Sequence, residues 1–466
     1  LKSTSVDGKV AISYVGYEKK TVSFNGNTSL GNIMLLSNNT LEEVVITGSG
    51  IIDLAEDRNT PVAVSTIKAS EIREKAGNWD LPEVLKSTPS VQNIKGGGFG
   101  EGSMFLRGFD QTNTAFLLNG QPINGMEDGK MYWSNWSGVL DVANAVQVQR
   151  GLGSSKLAIS SVGGTVNIVT KTIDRREGGF VQQMVGNNDF TKTTAYYSTG
   201  VNEKGWSFAS LLGHWQGDGY VDYTAGQGQT YFFSVGYQPN ENHTLNFLIT
   251  GAPQWHAAAG RGSIGTFLEN GRRYNDWNEA GVNSPNLIGG RYPGGRNIYH
   301  KPVSNLTWDW TINDKSELST VLYGSLGRGA FASLITDRNT GEALYARGSN
   351  NNHNWFGLVT NYSNKLSETL SLNVGADVRT YNGIHFRGVT EFLGQDSVNT
   401  GSTFLGDYTI NEAYGINPWE MVFNTNTTAA DRMSYNYEEV ITYYGLFGQL
   451  EYSKDAVSAF FQGAIS

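Results

Sequence analysis

The sequence predicts a mainly β protein, in which a transmembrane antiparallel β-barrel follows a smaller α+β domain. The composition favours strands and tight turns, with 58 Gly, 12% aromatic residues and only 10 Pro. Beyond Lys171, segments of about ten residues alternate in hydrophobicity, one after another. The connections between these segments alternate between short and long, which is typical of a barrel with two different rims.

Composition also excludes several classes of function. The chain has no Cys, which removes thiol redox chemistry and thiolate metal sites. Its formal charge is -9, and phosphate binding needs a clustered basic surface, so we expect no nucleic-acid partner. No run approaches the 18 or so apolar residues of a spanning helix, but barrel strands escape such a search.

The first 60 residues divide into two parts. Residues 1–36 contain KVAISYVGY and KKTVSF, followed by an NGNT turn and NIMLL, and we predict the end of a small β domain, a remnant of a β-sandwich. Residues 37–60 form a polar linker that carries LEEVVITGSG at 41–50. Three β-branched residues lie there between two acids and a Gly-Ser-Gly, so the segment is ready to form a strand.

Residues 61–172 predict a compact mixed domain. KASEIREKAG predicts a short helix with Ser70 as its N-cap, and DLPEVLKSTPS predicts a second helix. SMFLRGF, NTAFLLNGQPI, ANAVQVQRG and GTVNIVTK predict strands. KGGGFGEG at 95–102 lacks the spacing of a nucleotide-binding loop, so we interpret it as a mobile loop.

Residues 173–466 predict eleven strands, from about Gly179 to about Ile465. In VSNLTWDWTI, Leu306, Trp308 and Trp310 share one face and polar residues share the other. The short connections are 202–204, 239–242, 313–315, 364–368 and 454–455, with 187–189 as a short member of the other set; the long ones are roughly 216–229, 252–302, 327–354 and 381–441. A soluble sandwich or propeller would also alternate, but it would not predict this parity of loop lengths.

Four stretches resemble one family, the TonB-dependent outer-membrane receptors in the form found in Bacteroidetes. DGKVAISYVGYEKKTVSF resembles the end of a carboxypeptidase-regulatory-like domain, and LEEVVITG resembles the TonB box. SMFLRGFDQTNTAFLLNGQPIN resembles the plug core, and VQVQRGLGSSKLAISSVGGTVNIVTK resembles the plug's closing motif. The resemblance implies a barrel of about 22 strands occluded by a plug domain at 61–172.

The resemblance also assigns candidate residues. The TonB box would be Glu42, Glu43, Val44, Val45, Ile46 and Thr47, which could add a strand to the sheet edge of TonB. The plug motif would comprise Arg107, Gly108, Arg150, Gly151, Gly163, Gly164, Asn167 and Lys171. The glycines would allow close backbone approach, and Arg107, Arg150 and Lys171 could pair with acids on the barrel wall.

The expected function is energy-coupled import of a scarce, bulky nutrient across the bacterial outer membrane, with the plug and the N-terminal domain facing the periplasm. The expected partners are TonB, the imported ligand and outer-membrane lipid. No catalytic constellation is present, so we expect no enzyme and no cofactor. The six histidines are scattered without ligand spacing, so we expect no metal site either. Eleven strands cannot close a barrel of this class, and we expect that strands and N-terminal residues are missing from this sequence.

Candidate ligand contacts combine aromatic and cationic side chains, which could stack on rings or bind anions. They are Tyr132, Trp133 and Trp136 in the plug, and Trp255, His256, Arg261, Arg272, Arg273, Tyr274, Trp277 and Tyr292 in the loop at 252–302. Three alternatives stay open. The first is a SusC-like glycan or peptide importer with a surface lipoprotein, the second is a plugged barrel for secretion or surface scaffolding, and the third is a soluble glycan-binding or glycan-cleaving β protein.

Overall fold

The computed structural model describes residues 7–12, 20–25, 33–34, 63–76, 80–96, 98–100, 102–151, 161–260, 262–277, 282–283, 291–292, 294–400, 406–407, 409–414, 417–423 and 431–466. A β-hairpin comes first, formed by β1 (Asp7–Ile12) and β2 (Lys20–Asn25) in antiparallel register. It contains the strands expected from residues 1–36, and the domain to which it belongs stays a prediction. Among the described residues, no helix has the length and apolarity needed to cross a membrane.

The plug domain has two small sheets and two short helices. Its elements are β3 (Val64–Lys68), α1 (Ala69–Ala76), α2 (Leu81–Val84), β4 (Val91–Ile94), β5 (Ser103–Leu106), β6 (Phe109–Asp110), β7 (Thr114–Leu118), β8 (Gln121–Pro122), β9 (Ala145–Arg150) and β10 (Gly164–Val169). The larger sheet has the order β3-β9-β10-β7-β8, with β10 parallel to β7, and β4-β5-β6 form the smaller sheet. Both predicted helices are present, although α1 already begins at Ala69, so Ser70 lies inside the helix rather than at its N-cap.

The core of the plug explains its continuous apolar runs. All five residues of TAFLL in β7 are buried, because one face of the sheet packs on the plug's own helices and the other on the barrel. Phe116 contacts Trp133 edge to face, with ring centroids 5.1 Å apart. On the barrel side, Leu117 belongs to a buried cluster with Val321 and Trp355.

The barrel sheet is a long antiparallel meander. Its main path contains β11 (Glu177–Val185), β12 (Thr191–Thr199), β13 (Trp206–Gly217), β14 (Gly226–Asn240), β15 (His243–Gly251), β20 (Val303–Asn313), β21 (Ser316–Thr336), β22 (Ala343–Ser367), β23 (Leu370–Glu391), β26 (Met433–Lys454) and β27 (Val457–Ile465). These are the eleven strands predicted from the sequence. Within the described residues, β11 and β27 each pair on one side only.

The connections carry the remaining elements. They are β16 (Gln254–Ala257), α3 (Ile264–Asn270), β17 (Val282–Asn283), β18 (Arg291–Tyr292), β19 (Gly295–His300), β24 (Val398–Asn399), β25 (Thr409–Ile410) and α4 (Pro418–Phe423). Strands β16 and β19 join the barrel sheet beside β14 and β21. The tight turns lie at one edge, here called the short-turn rim, and the other connections lie at the opposite edge, the long-loop rim.

Two predicted loops are wrong in extent. The segment 327–354 is mostly strand, because β21 and β22 remain paired from Ser316↔Asn364 to Thr336↔Ala343 and leave only 337–342 as a turn. The segment 381–441 is also shorter as a loop, since β23 continues to Glu391 and β26 begins at Met433. Backbone hydrogen bonds to the neighbouring strands stabilise these polar extensions. The pattern of hydrophobic residues does not predict such pairing.

The barrel sheet is apolar on the outside and polar on the inside. In β20, Asn305, Thr307 and Asp309 are buried on the face that meets the plug, whereas Leu306 points outward and is exposed. The outward face carries many large exposed apolar residues, among them Leu212, Phe233, Leu322, Phe356, Val378 and Tyr444. This is the alternation of a lipid-facing barrel wall around a polar lumen.

An aromatic cluster marks the short-turn rim. Trp308 and Trp310 stack with ring centroids 5.7 Å apart, and the Trp308 indole N–H donates to His243 Nδ1 at 3.2 Å. Nearby along the same rim, Trp206 stacks on Tyr237 at 4.1 Å. Such amphipathic rings are enriched at the level of lipid headgroups.

Candidate functional site: the plug–barrel interface

Two ion pairs join the plug region to the barrel sheet. Lys171, just after β10, places its Nζ 2.7 Å from Asp309 Oδ2 on β20, and both side chains are largely buried. Lys192 on β12 places its Nζ 2.7 Å from Asp141 Oδ2 in the plug. The predicted pairing of Lys171 with a barrel acid is therefore present.

Hydrogen bonds reinforce the segment that leaves the plug. The Arg175 guanidinium donates to the Val142 carbonyl, to Asn144 Oδ1 at 2.5 Å and to the Tyr196 hydroxyl at 2.9 Å. The Thr172 hydroxyl donates to Ser234 Oγ on β14 at 2.6 Å. The chain thus enters its first barrel strand from a fixed position.

A rigid loop at the apex of the plug, residues 124–132, reaches the opposite part of the barrel. The Asn124 amide donates to the carbonyls of Thr114 and Gly129, and its Oδ1 accepts from the Phe116 N–H. The loop is therefore closed by one side chain. We call residues 124–132 the apex loop.

The apex loop presents Glu127 to three residues of the barrel lumen. The Tyr381 hydroxyl donates to Glu127 Oε1, and His385 Nε2 lies 3.1 Å from the same oxygen. Glu439 Oε1 lies 3.8 Å from His385 Nε2. We expected no metal site from the scattered histidines, yet the ligand atoms of Glu127, His385 and Glu439 lie within 4.8 Å of one another.

The plug motif contributes packing rather than an exposed surface. A Cβ on Gly163 would lie 2.8 Å from Thr114 Oγ1, and one on Gly164 would lie 2.1 Å from the Gln149 carbonyl oxygen. Gly164 also has a φ of +140°, which side chains disfavour. Asn167 Oδ1 accepts from the Gly120 N–H.

The arginines of the motif differ from expectation. Arg150 donates to the Pro89 carbonyl at 3.2 Å, inside the plug, so the prediction that it pairs with a barrel acid is wrong for the described contacts. Arg107, followed by Gly108, has a positive φ of 55°, and its guanidinium lies against Gly151, where an added Cβ would be 2.3 Å away. These residues therefore hold plug elements to one another.

Four of the candidate ligand contacts are buried. Trp133 is 2% exposed and donates to Gln111 Oε1, and Trp136 is buried beneath the Lys301 ammonium. Trp255 lies under the Arg296 guanidinium at 4.0 Å, and His256 is buried beside it. These four side chains pack the protein, and their prediction as direct ligand contacts is not supported by their position.

Of the other candidates, those that the structure describes lie towards the long-loop rim. Tyr132 is 53% exposed and donates to Asp128 Oδ2 at 2.8 Å. Trp277 is exposed beside Phe331, and Arg273 pairs with Asp222 at 3.1 Å. Two more are described there: Arg272 is exposed and Tyr274 half-buried. Arg261 and the TonB box at 42–47 lie outside the described residues, and Tyr292 is described only as part of β18.

A cavity of about 520 Å³ separates the plug from the barrel sheet near the long-loop rim. Asp80, Lys95 and Phe99 line it, and Phe99 packs on Trp215 with ring centroids 4.8 Å apart. Burial, followed by the charge of Glu83, raises the pKa of Asp80 to about 6. No local pattern singles out Asp80 as a site residue, because an acid before a helix is also an ordinary capping residue.

Comparisons with known proteins agree with this architecture. A family model for the TonB-dependent receptor plug domain matches residues 56–165. The vitamin B12 transporter BtuB of Vibrio vulnificus is 27% identical over 146 residues, covering 30% of this chain and 24% of the relative. The ferric enterobactin receptor PirA of Pseudomonas aeruginosa is 27% identical over 187 residues, covering 35% of this chain and 25% of the relative.

Solved structures share the fold. The complex of FpvAI with pyocin S2 aligns with a TM-score of 0.64 at 13% identity, covering 98% of this chain and 58% of that chain. The unliganded ferric citrate transporter FecA aligns with a TM-score of 0.57 at 15% identity, covering 86% and 62% respectively. The chain thus spans less than two thirds of the length of these relatives.

The plug match and the shared fold agree with each other. The chain carries a domain that matches the TonB-dependent receptor plug domain, packed against a barrel sheet, and its fold is similar to those of the solved structures named above.

Proposed function

We propose that this protein imports a scarce, bulky nutrient across the outer membrane with energy supplied through TonB. The observation that carries the proposal is a plug held inside a lipid-facing sheet by separate polar contacts, such as Lys171 with Asp309 and Lys192 with Asp141. Ion pairs of this kind can be broken one at a time by a directed pull, and they act beside the apolar contacts that also join the plug to the sheet.

The TonB box at Glu42–Thr47 supplies the place where the pull would act. A short β-branched segment between flexible residues can add to the exposed sheet edge of a partner through its backbone. The hairpin β1–β2 precedes this linker, which supports the Bacteroidetes form with a carboxypeptidase-regulatory-like domain at residues 1–36.

The cargo would meet the long-loop rim first. Tyr132 and Trp277 are the exposed aromatic side chains among the candidates there, and Arg272 adds a cation. Such a set can bind ring systems and anionic groups. The names of the relatives, a vitamin B12 transporter and a ferric enterobactin receptor, favour a vitamin or an iron chelate within the wider class that includes oligosaccharides and peptides.

Deleting residues 42–47 tests the coupling. We expect uptake to stop while ligand binding to whole cells is retained, because the deletion removes the attachment point and no part of the rim. Val45→Pro should have the same effect, since proline removes a backbone donor from the added strand. Ser49→Pro, outside the predicted strand, is the matched control. Unchanged uptake in the deletion variant would refute the assignment of residues 42–47 as the TonB box and would favour a secretion or scaffolding role.

A second experiment tests the rim. Tyr132→Ala and Trp277→Ala should each weaken binding of the cargo, while Tyr132→Phe, which keeps the ring, should weaken it less. Tyr197→Ala on the outward face of the barrel sheet is the control, since that ring faces away from the lumen. Co-purification of a surface lipoprotein with the receptor would support the SusC-like alternative, which the long connection between β23 and β26 could accommodate.

A further inference from the structure

We propose that Glu127, His385 and Glu439 form a binding site for one divalent transition-metal ion at the contact between the apex loop and the barrel sheet. The site would fasten the plug to the lumen wall, and it goes beyond the proposed import function.

The strand register explains why these side chains meet. His385 on β23 pairs with Asn351 on β22 and with Tyr437 on β26, and Glu439 pairs with Gly383. Residues two apart on a strand share a face, so His385 and Glu439 are diagonal neighbours on the lumen side. Glu127 then approaches from the apex loop and completes the set.

The imidazole is oriented as a ligand. His385 Nδ1 lies 3.0 Å from Asn351 Oδ1, and with Nδ1 as the donor in this contact the Nε2 atom that faces the carboxylates can coordinate an ion. A hydrogen bond from the ring nitrogen that does not bind the metal is the arrangement that orients metal-binding histidines. Tyr437 stacks on the ring at 4.8 Å and limits its rotation.

Two buried atoms point into the site without a conventional partner. His385 is 3% exposed, and neither its Nε2 nor Glu439 Oε1 makes a hydrogen bond to any described residue. An imidazole nitrogen that carries no proton is repelled by the carboxylate oxygens it faces, and a cation bound between them would remove that repulsion. The two carboxylate side chains are 35% and 36% exposed, so an ion can reach them from the lumen.

The space for the ion lies above Gly383. A Cβ on Gly383 would lie 2.7 Å from His385 Nε2 and 3.1 Å from Glu127 Oε1. The present ligand separations of 3.1 and 3.8 Å bracket the value of about 3.4 Å that tetrahedral zinc bonds of about 2.1 Å would give. One imidazole and two carboxylates suit Zn²⁺ or Mn²⁺ better than Mg²⁺, which prefers an all-oxygen octahedral shell.

Zinc binding to the full chain in detergent tests the proposal. After chelation and dialysis, isothermal titration with Zn²⁺ at neutral pH should give one tight site per chain that Mg²⁺ does not displace. His385→Gln and Glu439→Gln should each weaken it at least tenfold. Gly383→Ala should weaken it comparably while retaining every ligand, because the added methyl group occupies the ion's position. Glu438→Gln, a neighbour bonded to Asn382 instead, is the matched control.

A second measurement tests whether the bound ion holds the apex loop to the barrel sheet. With free Zn²⁺ at 100 times the dissociation constant, the equilibrium constant for release of the apex loop should fall about 100-fold in the wild type and remain unchanged in Gly383→Ala. Loss of the difference in gel migration between heated and unheated samples would identify variants that fail to fold. No tight site, or one unaffected by both Gly383→Ala and His385→Gln, would overturn the proposal. Neither result depends on uptake, so failure of the import proposal would be seen separately.

Discussion

The ion pair between Lys171 and Asp309 should control how firmly the plug is seated. The two side chains are 14% and 9% exposed, and Asp309 also accepts from the Ser319 hydroxyl at 2.6 Å. Removing one partner of a buried pair typically costs about 3 to 5 kcal/mol, because the other charge remains desolvated. The Ser319 hydroxyl compensates Asp309 in part, so we expect about 3 kcal/mol for Lys171→Met, or roughly 100-fold in plug release.

The absence of native cysteine provides a clean assay. A single thiol introduced as Ala143→Cys, at a buried plug position, should react with a maleimide only when the plug leaves the barrel sheet. In this background, Lys171→Met should increase the rate of labelling roughly 100-fold, provided that the plug returns to the barrel sheet faster than the maleimide reacts. Lys204→Met, in an exposed turn, should leave the labelling rate unchanged.

A double-mutant cycle separates the pair from its surroundings. Asp309→Asn alone removes the carboxylate 2.7 Å from Lys171, and the double variant Lys171→Met with Asp309→Asn removes both charges of the pair. The double variant should therefore be more stable than the sum of the single effects predicts, by at least about 1.5 kcal/mol. Additivity within about 0.5 kcal/mol would refute the claim that this contact holds the plug.

Three further substitutions test the pH dependence, the plug packing and the lipid-facing surface. Since the folded pKa of Asp80 is raised from 3.8 to about 6, the folded state binds a proton more tightly than the unfolded state, and plug stability should fall as pH rises from about 4 to 6. Asp80→Asn should remove that slope and add about 1 to 2 kcal/mol at pH 7 in denaturant titrations, after allowance for partial exposure. Gly164→Ala should cost more than about 2 kcal/mol and expose the plug to proteolysis, whereas Gly463→Ala, with nothing within 4 Å, should not. Leu322→Arg, on the outward face, should lower the free energy of folding into bilayers by about 2 to 4 kcal/mol. Leu318→Arg, beside the aromatic rim, should lower it by only about 0 to 1 kcal/mol. Equal losses in the two variants would argue against an effect of membrane depth.

The sequence predicts the architecture because periodicity and loop length are local properties. The alternation in β20, with Asp309 inward and Leu306 outward, is present as predicted, and so are the eleven strands. The extensions of β21 to β23 could not be predicted in the same way. Stretches such as residues 350–354 are polar and weak strand formers, and they become strand only because both neighbours supply a ladder.

The site is harder to predict because it depends on register. Glu127, His385 and Glu439 are far apart in the chain, and no local spacing marks them as a group. The aromatic candidates show that adjacent residues of similar type can differ in environment. Trp133 is buried in the plug core, whereas its neighbour Tyr132 is exposed at the rim. Which residue faces the lumen is settled by the fold of the apex loop around Asn124, through contacts with residues on both sides of it.

The contacts of the plug with the barrel sheet differ in kind between its two sides. Towards β13 to β15, apolar side chains such as Leu211, Phe232 and Leu248 join the plug core. Towards β23 and β26, the apex loop meets the sheet through charged and hydroxyl groups, among them Glu127 and Tyr381, with Met126 as an apolar contact beside them. Apolar burial has no preferred direction and weakens gradually, whereas a charge-assisted contact is lost within a small displacement. The polar side should therefore separate first when the plug is pulled, because its contacts depend most sharply on distance.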